Sequence, residues 1–190
     1  MLIGYINNGG KMKKLLLVLF GLVFIIGCAN LMNTPTKKVE YLLSKYQKND
    51  DDVIKQLDSS LLSNTVLTIE QKDRYKEIMK RQYKDLTYKI KNEAIDGKTA
   101  VVEVEIEVYD YGQAITEIED KLVNNSELYK DAAGEINSVL YNDDKLKAME
   151  EVNSRTKYTI NFTLLKADEE WIVDDLTDTE RMKIHGLYTY

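Results

Sequence analysis

Apolar residues along this chain recur first as one unbroken run, then at helical spacing, then at every second position, and each change of period marks a change of element. The unbroken run, Leu15 to Ala29, holds 15 uncharged residues and follows Lys13 and Lys14. A helix crossing a bilayer needs roughly 20 apolar residues, so the run is too short for a permanent span and fits the apolar segment of a secretory signal peptide.

Helical spacing begins past residue 33. Thr34-Pro35 reads as an N-cap followed by proline at the first helical position, and Val39, Leu42, Leu43 and Tyr46 share one face behind it. Asp50, Asp51 and Asp52 open a second helix, where negative charge favours the N-terminal dipole, with Val53, Leu57 and Leu61 as its apolar stripe. Thr68-Ile69-Glu70-Gln71 fits a capping box, and Tyr75, Ile78, Met79 and Tyr83 are the expected buried face of a third helix.

The period then falls to 2. Tyr88 and Ile90 alternate with Lys89 and Lys91 up to Asp96-Gly97, a strong hairpin signal. Beyond it Val102, Val104, Ile106 and Val108 alternate with Glu103, Glu105 and Glu107, which predicts a strand with one wet face. Residues 112 to 154 return to helical spacing through Ile115, Ile118 and Leu122, then Tyr129, Ala132, Ile136, Val139 and Leu140, then Leu146, Met149 and Val152. Tyr158, Ile160, Phe162 and Leu164 form a third strand and Trp171 to Leu176 a fourth, after which Thr177 to Glu180 caps a short helix that Gly186 ends. The predicted fold is α+β: N-terminal helices packed on a curved antiparallel four-stranded sheet, the first helix crossing its concave face, with a helical insert at about 112–154 between strands 2 and 3.

Composition agrees with a folded domain, at 44% hydrophobic and 31% charged residues. The formal charge is −6, and Lys11, Lys13 and Lys14 fall in the leader with no acidic residue, so the chain from Cys28 onward carries −9. That balance speaks against nucleic acid and against a polybasic membrane patch, both of which need clustered Lys and Arg. One cysteine, Cys28, and one histidine, His185, leave no internal disulfide, no thiolate metal cluster and no multi-histidine site. No cofactor, metal or catalytic set is expected.

Ile25-Ile26-Gly27-Cys28 resembles the bacterial lipobox, an aliphatic residue, a tolerant position and a small residue before a cysteine. The resemblance implies cleavage before Cys28, a diacylglyceryl group on its sulfur with palmitate-type chains, and residence on the outer face of the cytoplasmic membrane. Residues 1–27 are then the signal peptide, 28–33 the lipidated cysteine and tether, and 34–190 one domain. Met12-Lys13-Lys14 has the form of a signal-peptide start and residues 1 to 11 do not, so Met12 competes with Met1 as the site of initiation.

The element order, the Asp96-Gly97 hairpin, Thr99-Ala-Val-Val-Glu-Val104 and the closing Trp171-Ile-Val-Asp-Asp-Leu176 together resemble small Gram-positive lipoproteins with a nuclear-transport-factor-2-like cone. The resemblance implies an interior cavity in which Tyr88, Asp110, Tyr158 and Asp174 are the candidate pocket residues, with the insert placed to cover its mouth. The same residues have a plainer reading, as tyrosines packed on strands and carboxylates capping helices or turns. His185, without a second imidazole, reads as a surface or packing residue, and the Glu103-Glu105-Glu107 row as a solvated face or a docking surface for a basic partner. Two functions stand: a non-enzymatic binding or interaction module whose partner is an unknown envelope protein or small ligand, and a small-molecule enzyme or carrier using the cone interior.

Overall fold

The computed structural model describes residues 32–189. The leader, the lipobox residues Ile25, Ile26 and Gly27, and Cys28 lie outside them.

Side-chain caps set where the helices begin. Thr34 Oγ accepts from the Lys37 amide at 3.2 Å to open α1 (Pro35–Gln47). Asn49, in the left-handed region at φ +50°, turns the chain, and Asp50 accepts from the Asp52 amide to open α2 (Asp51–Ser63). The reciprocal Thr68–Gln71 box, at 3.2 and 3.1 Å, opens α3 (Ile69–Asp85). Each cap satisfies amides that a first helical turn leaves without intrahelical partners.

Four strands follow as an antiparallel sheet in the order β1-β2-β3-β4: β1 (Thr87–Asp96), β2 (Thr99–Tyr109), β3 (Arg155–Ala167) and β4 (Glu170–Val173). The β1–β2 turn runs through Gly97-Lys98, with Gly97 at φ +59°, a value glycine adopts without strain. Asp168 and Glu169 both take positive φ in the β3–β4 turn, as a two-residue type I′ connection demands. Before β4, Asn33 reaches that turn: its side-chain amide donates to the Glu169 carbonyl at 2.7 Å and accepts from the Trp171 amide at 3.0 Å, covering the side of β4 that no strand pairs.

The inner sheet face is filled. Val102, Val104, Ile106 and Val108 of β2 and Tyr158, Ile160, Phe162 and Leu164 of β3 are all at most 2% exposed. They pack in one core with Val39 and Leu43 of α1 and Ile78 and Met79 of α3. α1 crosses this face, touching β1, β2 and β4. On the opposite face Glu105 pairs with Lys91 at 3.3 Å and more loosely with Lys157 at 3.9 Å, so the glutamate row is interleaved with lysines on a solvated surface.

β1 departs from the predicted alternation at one residue. Ile90 pairs with Val104 but Asn92 with Glu103, leaving Lys91 as a bulge. Glu93 is thereby moved opposite Val102, onto the inner face, where its carboxylate accepts from the Thr36 amide at 2.9 Å and hydroxyl at 2.7 Å. The strand thus supplies a second cap for α1, with negative charge at the helix N-terminus.

The insert between β2 and β3 contains α4 (Tyr111–Asn124), a 3-10 turn (Ser126–Tyr129) and α5 (Ser138–Glu151). Helical spacing through Ala132 and Ile136 does not become a helix. The Asp131 side chain accepts from the Ala133 and Glu135 amides, Gly134 sits at φ +84°, and a lone bridge joins Lys130 to Ile136. That local turn consumes the amides a helix would need. The insert docks along α3, where Gln71, Arg74 and Arg81 engage Asp143, Glu150 and the Val152 carbonyl, so it widens the helical layer on that side. A last helix, α6 (Asp178–Ile184), opens at the Thr177–Glu180 capping box. Among the described residues no helix is long and apolar enough to cross a membrane.

Candidate functional site

The four sequence-selected pocket residues occupy different places. Tyr88 and Tyr158 lie in one row across the sheet, both registered to Ile106 between them. Tyr158 is buried and its hydroxyl donates to the Tyr188 carbonyl at 2.6 Å. Asp110 accepts from the Gln113 amide and caps α4. Asp174 is exposed and follows β4, its amide bonded to the Thr163 carbonyl, toward the other end of β3 from Tyr158.

A different cavity, of about 150 Å³, opens where α1, α2, α3 and α6 converge. Its walls follow from helical period. Val53, Gln56, Leu57 and Ser60 lie at i, i+3, i+4 and i+7 on α2, and so share one face. Tyr46 continues the Val39–Leu43 stripe of α1, and Tyr83 stands one turn beyond Met79 on α3. The two rings meet edge to face with centroids 5.1 Å apart. The Asn49 amide donates to the Lys80 carbonyl, tying the α1–α2 corner to α3 and holding α2 in place above the pair.

α6 closes the cavity. Arg181 and His185 stand four residues apart and both line it. His185 is the C-cap residue, and Gly186 follows at φ +69° with its amide bonded to the Lys183 carbonyl and the Leu187 amide to the Met182 carbonyl, a Schellman ending. A Cβ on Gly186 would fall on the Tyr109 carbonyl and the Gln82 amide nitrogen. Buried Gln82 clamps Tyr109, accepting from its amide at 2.8 Å and donating to its carbonyl at 3.2 Å. Close backbone approach at Gly186 therefore fixes where the imidazole sits.

Tyr83 Oη lies 3.0 Å from His185 Nε2. Burial, reinforced by the Arg181 guanidinium, pushes the imidazole from its ordinary 6.5 down to about 4, so it is neutral at physiological pH. Burial likewise drives the Tyr83 phenol far above its ordinary range, and it keeps its proton. The pair can bond either way: when Tyr83 donates to Nε2 the ring proton resides on Nδ1, and when it resides on Nε2 the ring donates to Tyr83. Tyr46 is also raised by burial and stays neutral.

This arrangement binds more readily than it catalyses. Ser60 donates its hydroxyl to the Leu57 carbonyl at 2.7 Å. The imidazole has a phenol for its partner, where a nucleophile–base relay uses a carboxylate to orient the ring. Among the described residues no three His, Cys, Asp or Glu side chains gather as metal ligands.

No family model matches the chain, and no curated protein matches it. A solved structure to which it is similar is a Bacillus subtilis chain assigned as a lipoprotein, ycdA, with 18% identity and a TM-score of 0.41 over 84% of this chain and 50% of that one. This chain therefore spans about half that protein's length.

Proposed function

We propose that this chain is a bacterial lipoprotein precursor, cleaved before Cys28 and acylated on that thiol, whose domain works outside the cytoplasmic membrane as a non-enzymatic binding or interaction module. The observation that carries the reading is the position of the sole cysteine, directly after Ile25-Ile26-Gly27 and an apolar run led by Lys13 and Lys14. One acyl chain binds a membrane only reversibly, whereas two or three give durable attachment, each buried methylene contributing about 0.8 kcal/mol. The domain then needs no apolar surface of its own to stay at the membrane. A nuclear-transport-factor-2-like cone whose interior is closed by its own side chains is the fold reading that accompanies it. Filling of the inner sheet face by β2 and β3 side chains favours a module that acts through its surface or helical layer over a carrier using the sheet interior.

The test is metabolic labelling with radioactive palmitate of cells making the full chain or Cys28→Ser. Label in the parent, with none in the variant and accumulation of the uncut precursor, is the expected result. Equal label in both proteins sinks the proposal.

A further inference from the structure

We propose that the cavity between α2, α3 and α6 is a binding site for a small monocarboxylate with an apolar body, an aromatic or branched acid of about six to nine heavy atoms. The inference concerns the folded domain alone and stands whether or not Cys28 carries lipid.

Three features of the cavity converge. The first is Arg181. Of the four arginines in the chain, Arg74 pairs with Asp143 and Glu150, Arg81 donates to the Glu150 and Val152 carbonyls, and Arg155 donates to the Asp85 and Glu107 carbonyls. Among the described residues the Arg181 guanidinium makes no hydrogen bond and no ion pair, although it lines the cavity and acts electrostatically on both Tyr46 and His185. A planar guanidinium offers two parallel N–H donors that match a carboxylate, so Arg181, exposed at the rim and without a protein partner among the described residues, can receive an anion of that shape.

The second observation is the body of the cavity. Val53, Leu57 and the rings of Tyr46 and Tyr83 make its walls apolar, and a cavity of about 150 Å³ is the size that a benzene ring fills. The third is its polar inventory beyond Arg181. The Tyr46 hydroxyl and the Gln56 carboxamide make no hydrogen bond to a described residue, Ser60 is committed to the Leu57 carbonyl, and His185 has committed only Nε2, to Tyr83. Neutral donors beside one fixed positive charge complement a single negative charge. A cationic ligand would be repelled by Arg181, and a wholly apolar one would leave these donors unmatched.

His185 also supplies the assay. It is the one histidine in the chain, so its ring Hε1 signal in a proton spectrum identifies itself without assignment. The full chain, kept in a lipid nanodisc, is titrated with sodium benzoate and in parallel with benzyl alcohol, its neutral counterpart of similar shape. The expected result is a saturable shift of the Hε1 signal by benzoate, with benzyl alcohol at least tenfold weaker. Arg181→Met should weaken benzoate by about 10- to 100-fold, the range for loss of a charge-assisted pair, and change benzyl alcohol by less than about twofold. Leu57→Phe, which fills the cavity from α2, should abolish the response to both, and the emission of Trp171, the one tryptophan, reports whether each variant is folded. Absence of a saturable shift in the parent protein overturns the proposal. So does equal affinity for the acid and the alcohol, or benzoate binding that folded Arg181→Met or folded Leu57→Phe leaves intact.

Discussion

Acidification should loosen this domain through one side chain before its carboxylates are exhausted. His185 is held neutral, with burial and the nearby Arg181 lowering it from 6.5 to about 4, while Tyr83 contacts it and Tyr46 shares its cavity as uncharged phenols. Between those two values the unfolded chain binds a proton that the folded one refuses. The stabilisation is therefore complete above about pH 6.5 and lost as pH falls toward 4. A difference of about 2.5 units corresponds to at most about 3 kcal/mol, and linkage gives about 2 kcal/mol already lost at pH 5. Urea unfolding followed by Trp171 emission, at a series of pH values for the parent and for His185→Gln, measures it; glutamine keeps a partner for Tyr83 without titrating. The gap in unfolding free energy between the two proteins should change by about 2 kcal/mol between about pH 7.5 and about pH 5, in favour of the variant at the acid end. Curves that stay parallel over that range would refute both the burial argument and the neutral imidazole at the cavity.

Two further perturbations address how the site and the first strand-end contact are held. Gly186→Ala should destabilise by about 3 kcal/mol or more, because a left-handed φ costs an L-residue roughly 1–2 kcal/mol and the added carbon meets the Tyr109 carbonyl; urea midpoints measure it, and a loss below about 1 kcal/mol would contradict the close approach. Asn33→Ala should remove about 1–2 kcal/mol through two lost hydrogen bonds and raise exchange of the Trp171 amide about tenfold, seen by hydrogen exchange; unchanged exchange there would show that Asn33 does not hold the β3–β4 turn.

What could be read from the chain beforehand was whatever neighbouring residues decide. Thr68 with Gln71, and Thr177 with Glu180, cap helices through atoms three positions apart, and both boxes form as their spacing implies. The valines and glutamates of β2 alternate because one side of that strand is buried and the other is wet, a contrast written into adjacent letters. The bulge at Lys91 was not readable in the same way. It goes with a contact between Glu93 and Thr36, 57 residues apart in the chain. The insert misled for a local reason, since Asp131 and Gly134 build a turn inside an otherwise helical apolar spacing.

The cavity was illegible for a third reason. Its members come from four helices, and Tyr83 and His185 are separated by 102 positions, so no window of sequence holds both. His185 reads from the sequence as a surface or packing residue, and in the fold its ring, partly exposed, lies beside Tyr83. Nothing in the letters around it foretold that Arg181 would stand at the same opening without a carboxylate. The candidate residues Tyr88, Asp110, Tyr158 and Asp174 rest on the cone resemblance; Tyr88 and Tyr158 share a row of the sheet, Asp110 caps α4, and Asp174 follows β4.

The extra residue in β1 also bears on how copies of this protein tolerate one another. An outermost strand of ten residues is an open invitation for another chain to zip on, and the hazard grows where molecules share a surface and collide in two dimensions, as the proposed anchor would require. A local kink and a carboxylate turned inward spoil the flat, regular ladder that such zipping needs. Glu93 thus serves the molecule twice, once by fastening the first helix and once by making its neighbour a poor template.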